Sequence, residues 1–295
     1  MRYLESFALP DQGSELAFLS RDSENKRTCY TSRYPFGVFL SKEVPTLEFE
    51  PVTIFCGGNG SGKTTLLNLI GEKLGISRGA IFNRSSFFSK YLALCRADCT
   101  TAFNERVREK SRVITSDDVF DFLLDFRYMN EGIANRRQEL LEEYADARYA
   151  KFQLHSLEDV DRLRQVVEAQ RRTGSQYVRN RLMQDIPGKS NGESAFLYFT
   201  REIQDGGLYL LDEPENSLAP NLQEELVQFI SDSARFYRCQ FVISTHSIFL
   251  LSMRGARIYN LDADPVQQQV WTQLDHVQAY YRFFQEKKRE FDKDQ

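Results

Sequence analysis

Three runs of apolar and β-branched residues stand out along the chain: VTIFC (52–56), LYLLD (208–212) and QFVIST (240–245). None alternates polar with apolar positions, so each is expected to be a strand buried on both faces. TTLLNLIGEKLG follows the first run and NLQEELVQFISDSARFY the second, both with the apolar spacing of amphipathic helices. Another helix is expected over 194–205. Strands alternating with helices predict an α/β fold around a mixed, largely parallel sheet. Residues 1–50 hold the short runs FALP, ELAFL, YPFGVFL and LEFE, broken by Pro, Gly and charged turns, and predict a β-rich N-terminal subdomain. At the other end RIYNLD and VQQQVWTQL suggest a closing hairpin. VQAYYRFFQEKKREF then reads as a mixed aromatic and charged helix.

Between about 84 and 187 the pattern changes to charged helical stretches such as DDVFDFLLDFRYMNEGIANRRQELLEEYADARYAKF. The expected organisation is therefore an N-terminal core half (1–83), a helical insertion forming a lid or arm (84–187), and a C-terminal core half (188–295). The insertion is too short and too irregular in heptad pattern for a long coiled coil.

Composition narrows the setting. The 295 residues are 41% apolar, enough for a real core, and the net charge of −4 supplies no global field to attract nucleic acid. Five cysteines without framework spacing suggest a reduced, cytoplasmic protein. The first residues lack the basic and apolar segments of a signal peptide, and no run approaches the ~20 apolar residues that span a bilayer. No direct membrane insertion is expected.

The chemistry collects at strand ends. Gly57-Gly58-Asn59-Gly60-Ser61-Gly62-Lys63-Thr64 matches G-x-x-x-x-G-K-[ST], between an expected strand and an expected helix. Glycines let backbone N–H groups turn toward phosphate oxygens, and the helix start adds partial positive charge. Asn59, Gly60, Ser61, Gly62, Lys63, Thr64 and Thr65 are thus the candidate nucleotide-binding residues. Lys63 would reach the β- and γ-phosphates, Thr64 would offer its hydroxyl to Mg²⁺, and Thr65 would support the α-phosphate. Asp212 ends the second buried strand, where it can hold Mg²⁺ through water, and Glu213 beside it can polarise an attacking water. His246 follows the third buried strand, at the same edge of the sheet, where it can face the γ-phosphate. Glu215-Asn216-Ser217-Leu218, taken alone, is equally a helix-capping turn.

Phosphate loop, strand-ending Asp-Glu and late histidine together resemble the ABC-type ATPases. The P-E-N-S-L and S-T-H-S runs are most similar to the stand-alone bacterial predicted ATPases of the SMC, RecF and OLD-like branch (AAA family). The resemblance covers roughly 34–83 and 186–262. It implies a P-loop NTPase core with an inserted helical lid, ATP and Mg²⁺ as cofactors, ATP hydrolysis, and an ATP-dependent head-to-tail homodimer. It also places the signature element of that family at Ser190-Asn191-Gly192-Glu193-Ser194. Ser190 with Glu193 three residues later has the spacing of a capping box, which defines a positively polarised helix start. The resemblance implies that Ser190, Gly192 and Glu193 touch the nucleotide of the other copy.

The family's coupling glutamine has no clear counterpart, with Asn83 as a substitute. Tyr34 and Phe36 are candidates for the adenine-contacting aromatic, and either is equally a core residue. Six arginines (162, 164, 171, 172, 179, 181) face one acid, Glu168, across 162–181. They would contact nucleic-acid phosphate or the second copy's nucleotide, or pair with the acidic 139–148 segment. The expected function is an ATPase coupling nucleotide state to DNA or to a separately encoded effector, in genome maintenance or phage defence. The alternatives are a transporter's nucleotide-binding subunit, or a slow ATP-gated regulator of a toxin or nuclease.

Overall fold

The computed structural model describes residues 1–21, 32–149, 166–169, 171, 173–179 and 190–292. Two compact units are present: Met1–Phe120 with Asn191–Gln295, and Asp121–Ser190. In chain order the elements are β1 (Leu4–Ala8), α1 (Gln12–Arg21), β2 (Leu47–Glu48), β3 (Val52–Cys56), α2 (Lys63–Leu74), β4 (Ser77–Arg78), α3 (Phe88–Leu94), β5 (Arg96–Cys99), α4 (Glu105–Lys110), β6 (Arg112–Thr115) and α5 (Ser116–Tyr149). They continue with α6 (Gly174–Arg179), α7 (Asn191–Glu202), β7 (Leu208–Asp212), α8 (Pro220–Phe236), β8 (Gln240–Ser244), α9 (Ile248–Leu251), β9 (Arg257–Asn260), β10 (Gln267–Gln268) and α10 (Asp275–Phe291).

The first unit is built on a seven-stranded sheet in the order β10-β9-β3-β8-β7-β6-β4. Every pairing is parallel except β9 with β10. All five residues of β3 and of β8 are buried, as the unbroken apolar runs demand. The register sets Ile54 beside Ile243, Leu211 beside Ile243 and Asp212 beside Ser244. Three consecutive strands therefore deliver their carboxyl ends to one edge. Helix α2 buries Leu66, Leu67, Leu69 and Ile70 in the core formed with Leu210 and Val242. Those four side chains contribute about 6–12 kcal/mol before chain entropy is counted. An antiparallel three-stranded sheet, β2-β1-β5, completes the unit.

Three expectations need correction. ELAFL lies within α1 rather than in a strand, because Asp11 caps the helix: its carboxylate accepts from Ser14 N at 2.8 Å, and its carbonyl from Glu15 N at 3.0 Å. YPFGVFL is a chain of turns, closed by Phe36 N to Arg33 O (2.9 Å) and Val38 N to Pro35 O (3.2 Å). Residues 84–187, expected to be dominated by charged helical stretches, contain β5, paired with β1, and β6, paired between β7 and β4. Strand β6 is only RVIT, four residues between charged flanks, too short for a periodic signal. RIYNLD and VQQQVWTQL do form the expected hairpin, β9 antiparallel with β10, though the second arm is only the two residues of β10 before a 3₁₀ turn at Trp271–Gln273.

In the second unit Leu140, Ala169, Tyr177 and Val178 form a small apolar cluster flanked by Tyr144 and Ala147. The Tyr144 and Tyr177 rings lie 5.5 Å apart. Arg136 pairs along its own helix with Glu139 (2.7 Å) and Glu143 (3.3 Å). Of the arginine-rich segment, Arg162, Arg164, Arg172 and Arg181 lie outside the described residues, as does the side chain of Arg179; Arg171 is exposed. No helix among the described residues is long and apolar enough to cross a membrane.

Candidate functional site

The loop between β3 and α2 turns on Gly57, Gly60 and Gly62, all at positive φ (149°, 81° and 102°). Gly62 is doubly constrained. Its backbone is left-handed, and a Cβ there would stand 2.7 Å from the Phe39 ring. Neighbouring segments hold the loop from outside. Lys42 Nζ donates to Ser61 O (2.7 Å) and Leu261 O (2.8 Å), and Gly58 N donates to the Asp262 carboxylate (2.6 Å). The Ser61 hydroxyl oxygen is buried without a hydrogen-bond partner.

Lys63 is 5% exposed and folds back onto its own loop, donating to Gly57 O at 2.8 Å and Gly58 O at 3.2 Å. Its Nζ lies 2.8 Å from His246 Nε2 and 3.8 Å from Glu213 Oε1, and the last two atoms are 3.4 Å apart. The phosphate-loop lysine, the strand-end glutamate and the late histidine, read separately from the sequence, thus form one cluster. Glu213 N donates to Ser244 O at 2.9 Å, which locks the start of the turn to β8. The Glu213 backbone is itself left-handed, φ 47°, a strained conformation for a side-chain-bearing residue.

Thr64 Oγ1 donates to Asp212 Oδ1 at 3.2 Å, and the Ser244 hydroxyl bonds the same carboxylate oxygen. Burial pushes the Asp212 carboxyl above the usual carboxylate range, against the pull of these two hydroxyls. A hydroxyl and a carboxylate at this spacing are hard oxygen donors suited to a small divalent cation that keeps most of its waters. They wall a cavity of about 730 Å³ together with Thr65, Asn68, Arg78 and Asn83. Tyr34 lines the same cavity and donates from its hydroxyl to Thr65 Oγ1 at 3.1 Å. Phe36, by contrast, is 8% exposed, stacked on Phe18 and set edge-on to Tyr91.

Residues 101–252 match the family described as AAA domain, putative AbiEii toxin, Type IV TA system. The chain belongs to this family. It is an AAA-family P-loop ATPase of the ABC type. Among curated proteins the ATPase is similar to the phosphonates import ATP-binding protein PhnC 1 of Ruegeria sp. (strain TM1040). The two are 25% identical over 227 residues, covering 76% of this chain and 79% of that protein. Among solved structures it is similar to the Smc head domain with an extended coiled coil bound to the C-terminal domain of ScpA, from Pyrococcus furiosus. That match has 12% identity, covers 96% of this chain and all 100% of the other, and has a TM-score of 0.45. The ATP-binding cassette MJ0796, in a dimeric post-hydrolysis state with ADP and Pi, matches with 16% identity, 76% and 88% coverage and a TM-score of 0.34.

Ser190 directly precedes α7, which begins at Asn191, three residues earlier than its apolar pattern indicates. Gly192 packs tightly: a Cβ there would come within 2.7 Å of Leu222 Cδ1 and 3.5 Å of Ser217 O. The start of α7 in the ATPase therefore abuts the turn that follows Glu213. Sequence reasoning passed over Lys42, Ser244 and Asp262, and it weighed Glu215 only as part of a capping turn and of the P-E-N-S-L run, with no role of its own. None has a local signal, since each acts on a segment far away along the chain.

Proposed function

We propose that this ATPase binds MgATP on the 57–65 loop and hydrolyses its terminal phosphate bond, using Glu213 and His246. The observation that carries this reading is the Lys63, Glu213 and His246 cluster, with all three polar atoms within 3.8 Å at the head of the loop. The two loop carbonyls that Lys63 now contacts are replaced by β- and γ-phosphate oxygens when ATP enters. Backbone N–H groups from Asn59 to Thr65 complete the anion cradle. Thr64 and Asp212 would hold Mg²⁺, which would supply charge neutralisation at the phosphates. Glu213 accepts a proton from the attacking water. The water oxygen bonds to the γ-phosphorus as the bond to the bridging oxygen breaks, giving ADP and inorganic phosphate. His246 donates a hydrogen bond toward the γ-phosphate.

Two copies close head to tail on two ATP molecules, and Ser190, Gly192 and Glu193 of one copy complete the site of the other. The packing of α7 against the turn after Glu213 supports this, because it joins that helix start to the hydrolytic strand end. The closure is relayed to a separately encoded effector or to DNA, and the toxin–antitoxin term in the family description fits a gated effector. A transporter subunit is the second reading, favoured by the similarity to a phosphonates import ATP-binding protein. ATP titration by calorimetry, with phosphate release measured in parallel, tests the core of the proposal. Wild-type protein should bind and turn over ATP. Glu213→Gln should bind it and lose about 10²–10⁴-fold in turnover. Equal turnover in both would remove Glu213 from the mechanism.

A further inference from the structure

The turn after Glu213 is tied to the strand end that carries His246 by one buried carboxylate oxygen. Glu215 Oε1 accepts three hydrogen bonds: from Thr245 Oγ1 (2.6 Å), His246 N (2.7 Å) and Ser247 N (3.1 Å). The other oxygen, Oε2, is buried and has no partner. Nothing in the local sequence demands a glutamate at this point, since the turn closes through its backbone, Asn216 N to Glu213 O (3.2 Å) and Leu218 N to Glu215 O (2.9 Å). The next residue works on the other side of the cluster. Asn216 Nδ2 donates to Glu213 Oε2 at 3.0 Å, leaving Glu213 Oε1 facing His246 and Lys63.

We infer that Glu215 is a positioning residue for His246, holding its backbone so that the imidazole stays beside Lys63 and Glu213. It touches neither the nucleotide loop nor the reacting atoms, and acts wholly through the 245–247 backbone. Two backbone N–H groups and a hydroxyl converge on a single acceptor, so removing it leaves the Thr245 hydroxyl and the His246 N–H without that acceptor, while Ser247 N keeps Thr245 Oγ1 at 2.9 Å, and it loosens the turn that carries the imidazole. Because Gly192 packs on Ser217 O in the same turn, the arrival of a second copy at α7 would be felt at His246 through this carboxylate. The single-oxygen geometry also makes a sharp demand: an amide in place of the carboxylate keeps the oxygen that matters and alters only the one without a partner.

This inference rests on the hydrolysis reading above. The test is steady-state ATPase kinetics on the full chain for Glu215→Ala, Glu215→Gln, His246→Ala and the Glu215→Ala/His246→Ala pair. Glu215→Ala should lower kcat by about 10- to 100-fold, the scale of a misplaced catalytic group, while KM for ATP stays within about twofold. Glu215→Gln should recover most of that loss. In the His246→Ala background, Glu215→Ala should cost about twofold or less, because the effect passes through the imidazole. Unchanged kcat in Glu215→Ala, no recovery in Glu215→Gln, or a fully multiplicative loss in the double variant would each overturn the inference. The His246 ring signal in NMR, assigned by its disappearance in His246→Ala, gives a readout that needs no turnover. It should move in Glu215→Ala, and a fixed signal overturns the positioning role even if the wild type hydrolyses no ATP. Should Glu215→Ala fail to fold, Thr245→Val removes one of the three bonds to Glu215, together with the bond from Ser247 N to Thr245 Oγ1 (2.9 Å), and must shift the same signal in its place.

Discussion

The two ends of strand β8 are built on opposite principles. At its amino end Gln240 is fully buried and every polar atom of its carboxamide is used. Oε1 accepts from Tyr3 N (2.7 Å) and Leu4 N (2.8 Å), and Nε2 donates to Leu4 O (2.9 Å) and Glu50 O (3.1 Å). At its carboxyl end, four residues later, the polar groups are left partly open. Lys63 leans on its own loop, the Ser61 hydroxyl and Glu215 Oε2 have no partner, and the Asp212 carboxyl is held up by burial. A closed network fastens the small sheet to the large one. An open network is what a charged, multiply accepting ligand can complete. Stability and chemistry are separated along a strand of five residues.

That separation predicts a double dissociation. Lys63→Ala should weaken ATP binding at least about 100-fold, the worth of two charge-assisted hydrogen bonds. Its melting temperature should change less than that of an amino-end variant, as calorimetry of the same samples would show. Gln240→Ala should do the reverse, costing about 3 kcal/mol or more of unfolding free energy, because it leaves buried backbone groups without partners. Its ATP affinity should remain at the wild-type value. Chemical denaturation and ATP titration on both variants would collapse the comparison if each variant moved both quantities equally.

A smaller effect sharpens the structural half. Burial pushes the Glu15 carboxyl above the usual carboxylate range, opposed by its bond from Gly37 N (2.5 Å). The folded chain therefore binds this proton more tightly than the unfolded chain. The contribution is fully present at low pH and is lost as pH rises through the raised value. Glu15→Gln does not titrate, so its stability relative to wild type should increase from about pH 4 to about pH 7. A difference that is flat with pH would show that the carboxyl does not titrate in the folded range.

How much of this was legible depended on whether the signal was local. β3, β7 and β8 announce themselves because strands buried on both faces need unbroken apolar runs. GGNGSGKT announces itself because phosphate cradling needs those glycines in a row. Lys63, Asp212, Glu213 and His246 could be brought together from sequence since parallel strands all point their ends to one edge. β6 was hidden by its four-residue length. α1 was hidden because its apolar run is as short as a strand and the Asp11 cap decides the outcome. Glu215 and Gln240 were hidden for a different reason. Each is a polar residue whose partner lies far along the chain, 30 residues away for Thr245 and 237 for Tyr3, and no window of sequence contains both.

The central claim is that ATP joins two copies through this edge of the sheet. It is tested most directly by light scattering on Glu213→Gln, which should hold ATP without consuming it. With Mg²⁺ and saturating ATP the protein should run at twice the monomer mass, and it should return to monomer when ATP is replaced by ADP. A monomer mass under saturating ATP, with nucleotide shown to be bound in the same sample, would contradict the account.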